Sequence, residues 1–124
     1  MRQRVRLGLL AVLICGVMVA AQTPDITGKW NASFETQIGT QTYTYDFKVK
    51  DGVLTGTAKS NLGEAVLSEG KVTGDAVTFV EMLKFDGNDI RIDYKGKVVS
   101  ADEIKFTRQV GEFATEELVA KRAK

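Results

Sequence analysis

The chain has 124 residues, with 17 Lys and Arg against 16 Asp and Glu, no His, one Cys and one Pro. The absence of His excludes a Ser-His-Asp triad and a His-ligated metal, and one Cys excludes an internal disulfide and a Cys-rich zinc site. A net charge of +1 provides no electrostatic footprint for nucleic acid. We therefore expect one small domain without cofactor, metal or nucleic-acid partner.

The first 21 residues have the three parts of a secretory signal peptide. Residues 2–6 are basic, residues 7–19 are apolar, and Ala20-Ala21 provide a small-residue exit. The apolar run is shorter than the about 20 residues that a membrane-spanning helix needs. We expect cleavage before Gln22, export to the periplasm or the extracellular space, and no stable membrane anchor afterwards. Cys15 lies in the middle of the apolar run, which is not the place of a lipidated Cys.

Cleavage changes the charge balance of the working chain. It removes three of the 17 basic residues, which leaves 14 against 16 acidic residues and a net charge of −2. The only Cys is removed as well, so folding cannot depend on a disulfide. Residues 22–27 then form a linker, and residues 28–124 form a single domain.

From Gly28 onward, the sequence predicts short β-strands separated by Gly and Asp/Asn turns. Residues 28–36 and 41–50 alternate apolar and polar side chains, as half-buried strands do. Asp51-Gly52 between two such runs predicts a two-residue hairpin of type I′. A helix is nowhere favoured, except for one turn around residues 114–118. The remaining predicted strands are 53–60, 64–69, 76–85, 89–98, 103–110 and 117–121.

Eight short strands joined by tight turns predict an all-β fold, an up-and-down antiparallel meander. The near-repeat of Gly70-Lys71-Val72 and Gly96-Lys97-Val98 favours this simple order. An open sheet would leave two strand edges unpaired, and an even number of strands closes into a barrel that has none. A small barrel is therefore predicted, with a two-layer β-sandwich as the alternative.

Gly28-Lys29-Trp30 at the start of the first strand resembles the Gly-x-Trp that opens the lipocalin and related calycin barrels. The resemblance implies a lipocalin-like barrel in which a late basic residue packs over the Trp at the closed end. Arg122 or Arg108 would have that place here. The chain is shorter than a typical lipocalin and lacks its flanking helix.

The wider pattern resembles a group of small secreted bacterial domains, found alone or attached to larger exported hydrolases. It includes Leu54-Thr55-Gly56, Gly70-Lys71-Val72 and the tail over residues 113–122. Some members carry glycoside-hydrolase or endo-xylanase labels. The resemblance implies a cell-envelope or carbohydrate context and supplies no catalytic residue.

Glu81 is the one well-placed candidate for acid–base chemistry. The alternation that includes Val77 and Phe79 points it inward, where apolar neighbours would raise its pKa and suit it to act as a general acid. Two structural alternatives stay open. Glu81 could form a buried pair with Arg108, which also points inward, or a bulge near residues 80–82 could turn it outward.

The aromatic side chains on inward faces suggest a second kind of site. They could line a barrel mouth that binds a small apolar or carbohydrate ligand, with a polar anchor, or they could simply fill the core. The predicted ligand-binding residues are Trp30, Tyr43, Tyr45, Glu81, Tyr94 and Arg108.

The sequence thus favours a secreted, non-catalytic barrel that binds a small molecule or a partner surface. One alternative is a carbohydrate-active protein, either an accessory to xylan-type degradation or a minimal hydrolase that uses Glu81. Another is a purely structural envelope domain. The oligomeric state is left open.

Overall fold

The computed structural model describes residues 25–124. The predicted signal peptide and the first residues of the predicted linker lie outside this range. The described chain forms nine β-strands, and none of it forms a helix that could cross a membrane. The strands are β1 (Gly28–Thr36), β2 (Gly39–Lys50), β3 (Val53–Ser60), β4 (Gly63–Val66), β5 (Ser68–Thr73), β6 (Ala76–Phe85), β7 (Asn88–Ser100), β8 (Glu103–Val110) and β9 (Ala114–Arg122).

The strands form one antiparallel meander that closes on itself. The order is β2-β1-β9-β8-β7-β6-β5-β3-β4, and a further pairing of β2 with β3 completes the circle. β1 and β9 meet at Trp30↔Arg122 and Asn31↔Lys121. Eight strands make the barrel, and β4 is an additional strand paired with β3. The predicted up-and-down barrel is therefore confirmed, and the sandwich does not form.

The predicted fourth strand, residues 64–69, is in fact divided into β4 and β5. The break falls at Leu67, whose N–H donates to the carbonyl oxygen of Gly56 at 2.9 Å. Gly56 has φ +143°, and a Cβ at this position would collide with the carbonyl oxygen of Asp46. β3 therefore bends at a glycine. It pairs with β4 on one side of the bend and with β5 on the other.

The helical turn considered for residues 114–118 is wrong, because these residues belong to β9. β9 pairs with β8 from Val110↔Ala114 to Glu103↔Lys121, and this ladder satisfies its backbone groups. The last predicted strand, 117–121, is the second part of β9. The predicted type I′ hairpin is confirmed, since Asp51 and Gly52 both have positive φ, 52° and 79°.

One end of the barrel is closed by Arg122. Its guanidinium lies 4.6 Å above the ring of Trp30. Nη1 and Nη2 donate to the carbonyl oxygens of Thr27 and Asp25, both at 3.0 Å, and Nε donates to that of Ala101 at 2.9 Å. One side chain thus joins β9, the turn between β7 and β8, and the segment before β1.

Beneath the guanidinium of Arg122, Trp30 is fully buried. Its Nε1 donates to the carbonyl oxygen of Ile26 at 2.9 Å. The lipocalin resemblance named Arg122 or Arg108 for the position over Trp30, and the structure places Arg122 there. Arg108 lies further along the interior. Both ends of the described chain are also here, since the N–H of Ala123 donates to the carbonyl oxygen of Lys29 at 2.8 Å.

Candidate functional site

The end of the barrel opposite Arg122 is open. Consecutive turns of a meander alternate between its two ends, so the β1–β2, β3–β4, β6–β7 and β8–β9 turns all surround this opening. They enclose a cavity of about 660 Å³. Each turn or its flanking strand contributes one large apolar side chain to the rim. These are Ile38 (52% exposed), Leu62 (36%), Phe85 (37%) and Phe113 (70%).

Below this rim, the walls are apolar and the floor is polar. Leu83, Ile90 and Val110 line the walls. Gln41 points inward from β2, where it pairs with Phe34 of β1. Its side chain is 5% exposed and lines the cavity, and its Oε1 is the one buried side-chain polar atom of residues 25–124 without a hydrogen-bond partner. An acceptor left unpaired in this way is rare in folded proteins.

Arg108 is fixed in the floor by contacts on several sides. Its Nε donates to Oε1 of Glu116 at 2.7 Å, and its Nη1 donates to the hydroxyl oxygen of Tyr94 at 2.8 Å. The guanidinium also lies 4.7 Å from the ring centre of Phe34 and 5.1 Å from that of Tyr43. The side chain is only 4% exposed. The positive charge of Arg108 is therefore buried in the interior of the barrel, at the floor of the cavity.

Glu81 lies beneath this layer. Its Oε2 accepts a hydrogen bond from the hydroxyl of Tyr43 at 2.9 Å and its Oε1 accepts one from Tyr94 at 2.8 Å, while Nη1 of Arg108 is 3.9 Å from Oε1. Burial raises the pKa of Glu81, and the two tyrosine hydrogen bonds and Arg108 oppose that rise. Burial, together with the charge of Glu81, raises the pKa of Tyr43 to about 12. Burial also raises the pKa values of Tyr45 and Tyr94 well above the usual value.

The inward direction predicted for Glu81 is confirmed. β6 pairs with β7 in regular register from Ala76↔Lys97 to Phe85↔Asn88, so no bulge turns the side chain outward. Glu81 is 1% exposed and is not among the residues that line the cavity. It therefore has the geometry of the buried pair with Arg108, with the hydroxyl of Tyr94 between them.

The structure brings together only part of the predicted ligand site. Tyr43 and Arg108 line the cavity. Tyr45, Glu81 and Tyr94 form the hydrogen-bonded layer below, with 2.9 Å between the two tyrosine hydroxyl oxygens. Trp30 lies at the opposite end of the barrel, where it supports Arg122.

Several residues of the cavity were not predicted from the sequence. Gln41 and Glu116 each stand on an inward face among apolar residues, and this break in the alternation was a usable signal. The cluster of apolar side chains at the rim could also have been predicted, because alternate turns of a meander lie at the same end of the barrel. For metals, residues 25–124 contain no group of three or more His, Cys, Asp or Glu side chains able to hold an ion.

Comparison with known proteins finds no matching family model, no matching curated protein and no matching solved structure. The closed antiparallel barrel is compatible with the lipocalin-like architecture that the Gly-x-Trp motif suggested. No family or relative connects the chain with glycoside hydrolases.

Proposed function

We propose that this protein is a non-catalytic binding protein that takes a small ligand into the open end of its barrel. The observation that carries the proposal is the cavity of about 660 Å³, which has four large apolar side chains beside polar turn residues at its rim, apolar walls and polar groups in its floor. Ligand sites in proteins have this composition and a volume of roughly 300–1,000 Å³. The signal-like sequence of residues 1–21 supports a role after export, in the periplasm or outside the cell.

The apolar rim supports binding over a purely structural role. A barrel that served only as a scaffold would gain by turning Ile38, Leu62, Phe85 and Phe113 inward or by replacing them with polar residues. Clustered exposed apolar side chains of this kind mark binding surfaces.

Carbohydrate chemistry has less support. A general acid must come within hydrogen-bond reach of its substrate, and Glu81 is separated from the cavity by Tyr43 and Arg108. The tyrosines that would stack on a sugar ring are buried, with Tyr45 at 0% and Tyr43 at 1% exposure. An apolar portion of a ligand fits the rim better than a sugar fits the floor.

Titration of the processed protein with N-phenyl-1-naphthylamine, a neutral apolar fluorophore, tests this proposal. An external probe is needed because Trp30 lies at the far end of the barrel. We expect saturable binding that Ala114→Trp weakens by about tenfold or more, since the indole would occupy the cavity that Ala114 lines. Ala101→Trp, at the closed end, is the matched control and should leave the affinity unchanged. Non-saturable fluorescence, or equal affinity in both variants, would overturn the proposal.

A further inference from the structure

The floor of the cavity contains hydrogen-bond donors that have no partner. The first belongs to Gln41, which is 5% exposed and stands opposite Phe34 in the ladder between β1 and β2. Its Oε1 is fully covered, so the polar end of the amide that faces the cavity is Nε2. Nε2 forms no hydrogen bond with any of residues 25–124. It therefore presents unpaired N–H groups to whatever enters the cavity.

The second donor belongs to Arg108. Its Nε donates to Glu116 and its Nη1 donates to Tyr94. Its Nη2 forms no hydrogen bond with residues 25–124 and is not a covered atom, so it reaches the cavity that Arg108 lines. The guanidinium lies 4.7 Å from the ring centre of Phe34, the residue that stands opposite Gln41. The two donors therefore lie in the same part of the floor.

No unpaired positive charge accompanies these donors. Arg108 is paired with Glu116 at 2.7 Å and lies 3.9 Å from Glu81. Arg91, the other basic residue that lines the cavity, is paired with Glu69 at 3.1 Å. A carboxylate held against the floor would thus be a buried charge without a free partner, which costs more than its hydrogen bonds return.

A cationic head group is also unsuited to this floor. It would bring a second positive charge next to Arg108, and its N–H groups would face those of Gln41. A carbonyl oxygen avoids both problems, because it is uncharged and its two lone pairs can accept two hydrogen bonds.

We propose that the ligand is a neutral amphiphile whose polar end is a carbonyl group, as in an ester, an amide or a ketone. The carbonyl oxygen accepts from Nε2 of Gln41 and Nη2 of Arg108, and the apolar part contacts the walls and the rim. A few fixed polar groups in an apolar pocket orient a ligand in this way. This inference rests on the proposed function, because it names the ligand class of the same cavity.

Three probes with matched alkyl chains separate this inference from the proposed function. N,N-dimethyldecanamide is a neutral acceptor, decanoate is an anionic acceptor, and decylammonium is a cationic donor. Each competes with N-phenyl-1-naphthylamine for the processed protein, below the concentration at which it forms micelles. We expect the amide to bind about tenfold more tightly than either charged probe. Displacement by none of the three would overturn the proposed function as well, whereas a charged probe that equals the amide would overturn the carbonyl preference alone.

A variant of Gln41 then tests the donor directly. Gln41→Met keeps the side-chain length and removes Nε2, and should weaken N,N-dimethyldecanamide by about fivefold. Its affinity for N-phenyl-1-naphthylamine, which has no carbonyl group, should stay within twofold of the wild type and shows that the cavity is intact. Gln109→Met, the same change at an exposed position of β8, is the matched control. Equal amide affinity in Gln41→Met and the wild type would refute the inference.

Nuclear magnetic resonance provides a measurement that does not depend on a variant's affinity. In the ¹H–¹⁵N spectrum of the wild type, the side-chain amide signals of Gln41 are assigned by their loss in Gln41→Met. Saturating N,N-dimethyldecanamide should move a Gln41 amide proton downfield, because that proton gains an acceptor. Saturation that leaves both Gln41 amide protons unmoved would equally refute the inference.

Discussion

Replacing Arg108 by Met removes the one buried cation of residues 25–124 while it largely preserves side-chain volume. The substitution removes the hydrogen bonds to Glu116 at 2.7 Å and to Tyr94 at 2.8 Å. It also leaves the carboxylate of Glu81 without its positive neighbour. Removing one partner of a buried ion pair costs about 3–5 kcal/mol. That is a large share of the roughly 5–15 kcal/mol by which a domain is stable.

The loss should depend on pH with a defined sign. Burial already raises the pKa of Glu81, and Arg108 opposes that rise, so Arg108→Met raises it further. A carboxyl whose pKa is higher in the folded state stabilises the fold fully while it is protonated, and this contribution is lost as the pH rises through the folded-state pKa. The deficit of Arg108→Met relative to the wild type should therefore be larger at neutral pH than under mildly acidic conditions.

Urea unfolding at about pH 7.5 and about pH 5 measures this deficit as a change in midpoint at constant slope. The double variant Arg108→Met/Glu81→Gln should recover part of the neutral-pH loss, because Gln carries no charge, and its amide oxygen can accept from one tyrosine hydroxyl while its amide nitrogen donates to the other. Arg91→Met is the matched control, since Arg91 also has two carboxylate partners but is exposed. A deficit for Arg108→Met that is no larger than that for Arg91→Met, or that is the same at both pH values, would refute the reasoning.

Two further predictions concern the rest of the interior. Spectrophotometric alkaline titration should show no phenolate near pH 10 from any of the three tyrosines, because burial raises the pKa of Tyr43 to about 12 and the pKa values of Tyr45 and Tyr94 well above 10. Phenolate should appear only when the protein unfolds. A tyrosine that ionises near pH 10 in the folded protein would contradict this prediction. Arg122→Met should destabilise the barrel by about 2 kcal/mol through loss of three hydrogen bonds, and should expose Trp30 to acrylamide; unchanged quenching would show that Arg122 does not close this end.

The alternation of apolar and polar residues was enough to predict the barrel and the inward faces. A closed barrel imposes one interior on every strand, so each strand must obey the same two-residue period. Glu81 and Arg108 were both placed inward for this reason, and the structure confirms both directions.

Which inward residues meet each other was not predictable in the same way. Tyr43 on β2 hydrogen-bonds to Glu81 on β6 across the interior, although these two strands share no ladder. Such contacts depend on the stagger of strands around the whole barrel, which local alternation does not specify. The division between β4 and β5 could not be predicted from local alternation either, because it follows from the close approach of the Asp46 backbone to Gly56.

The site was only partly predicted because distance along the interior decides which side chains reach the cavity. Trp30 and Tyr43 both stand on inward faces, yet Trp30 fills the closed end while Tyr43 lines the open cavity. The sequence identified such residues by type, and the lengths of the hairpins place them at one end or the other.

The position of the chain ends beside Arg122 has a practical consequence. Asp25 and Ala123 both lie at the closed end, and every turn around the cavity is internal to the chain. A tether attached through Lys124 would hold the molecule by its sealed base and leave the mouth directed away from the support. Capture experiments on a surface could therefore use the native cavity without any change to the four loops that surround it.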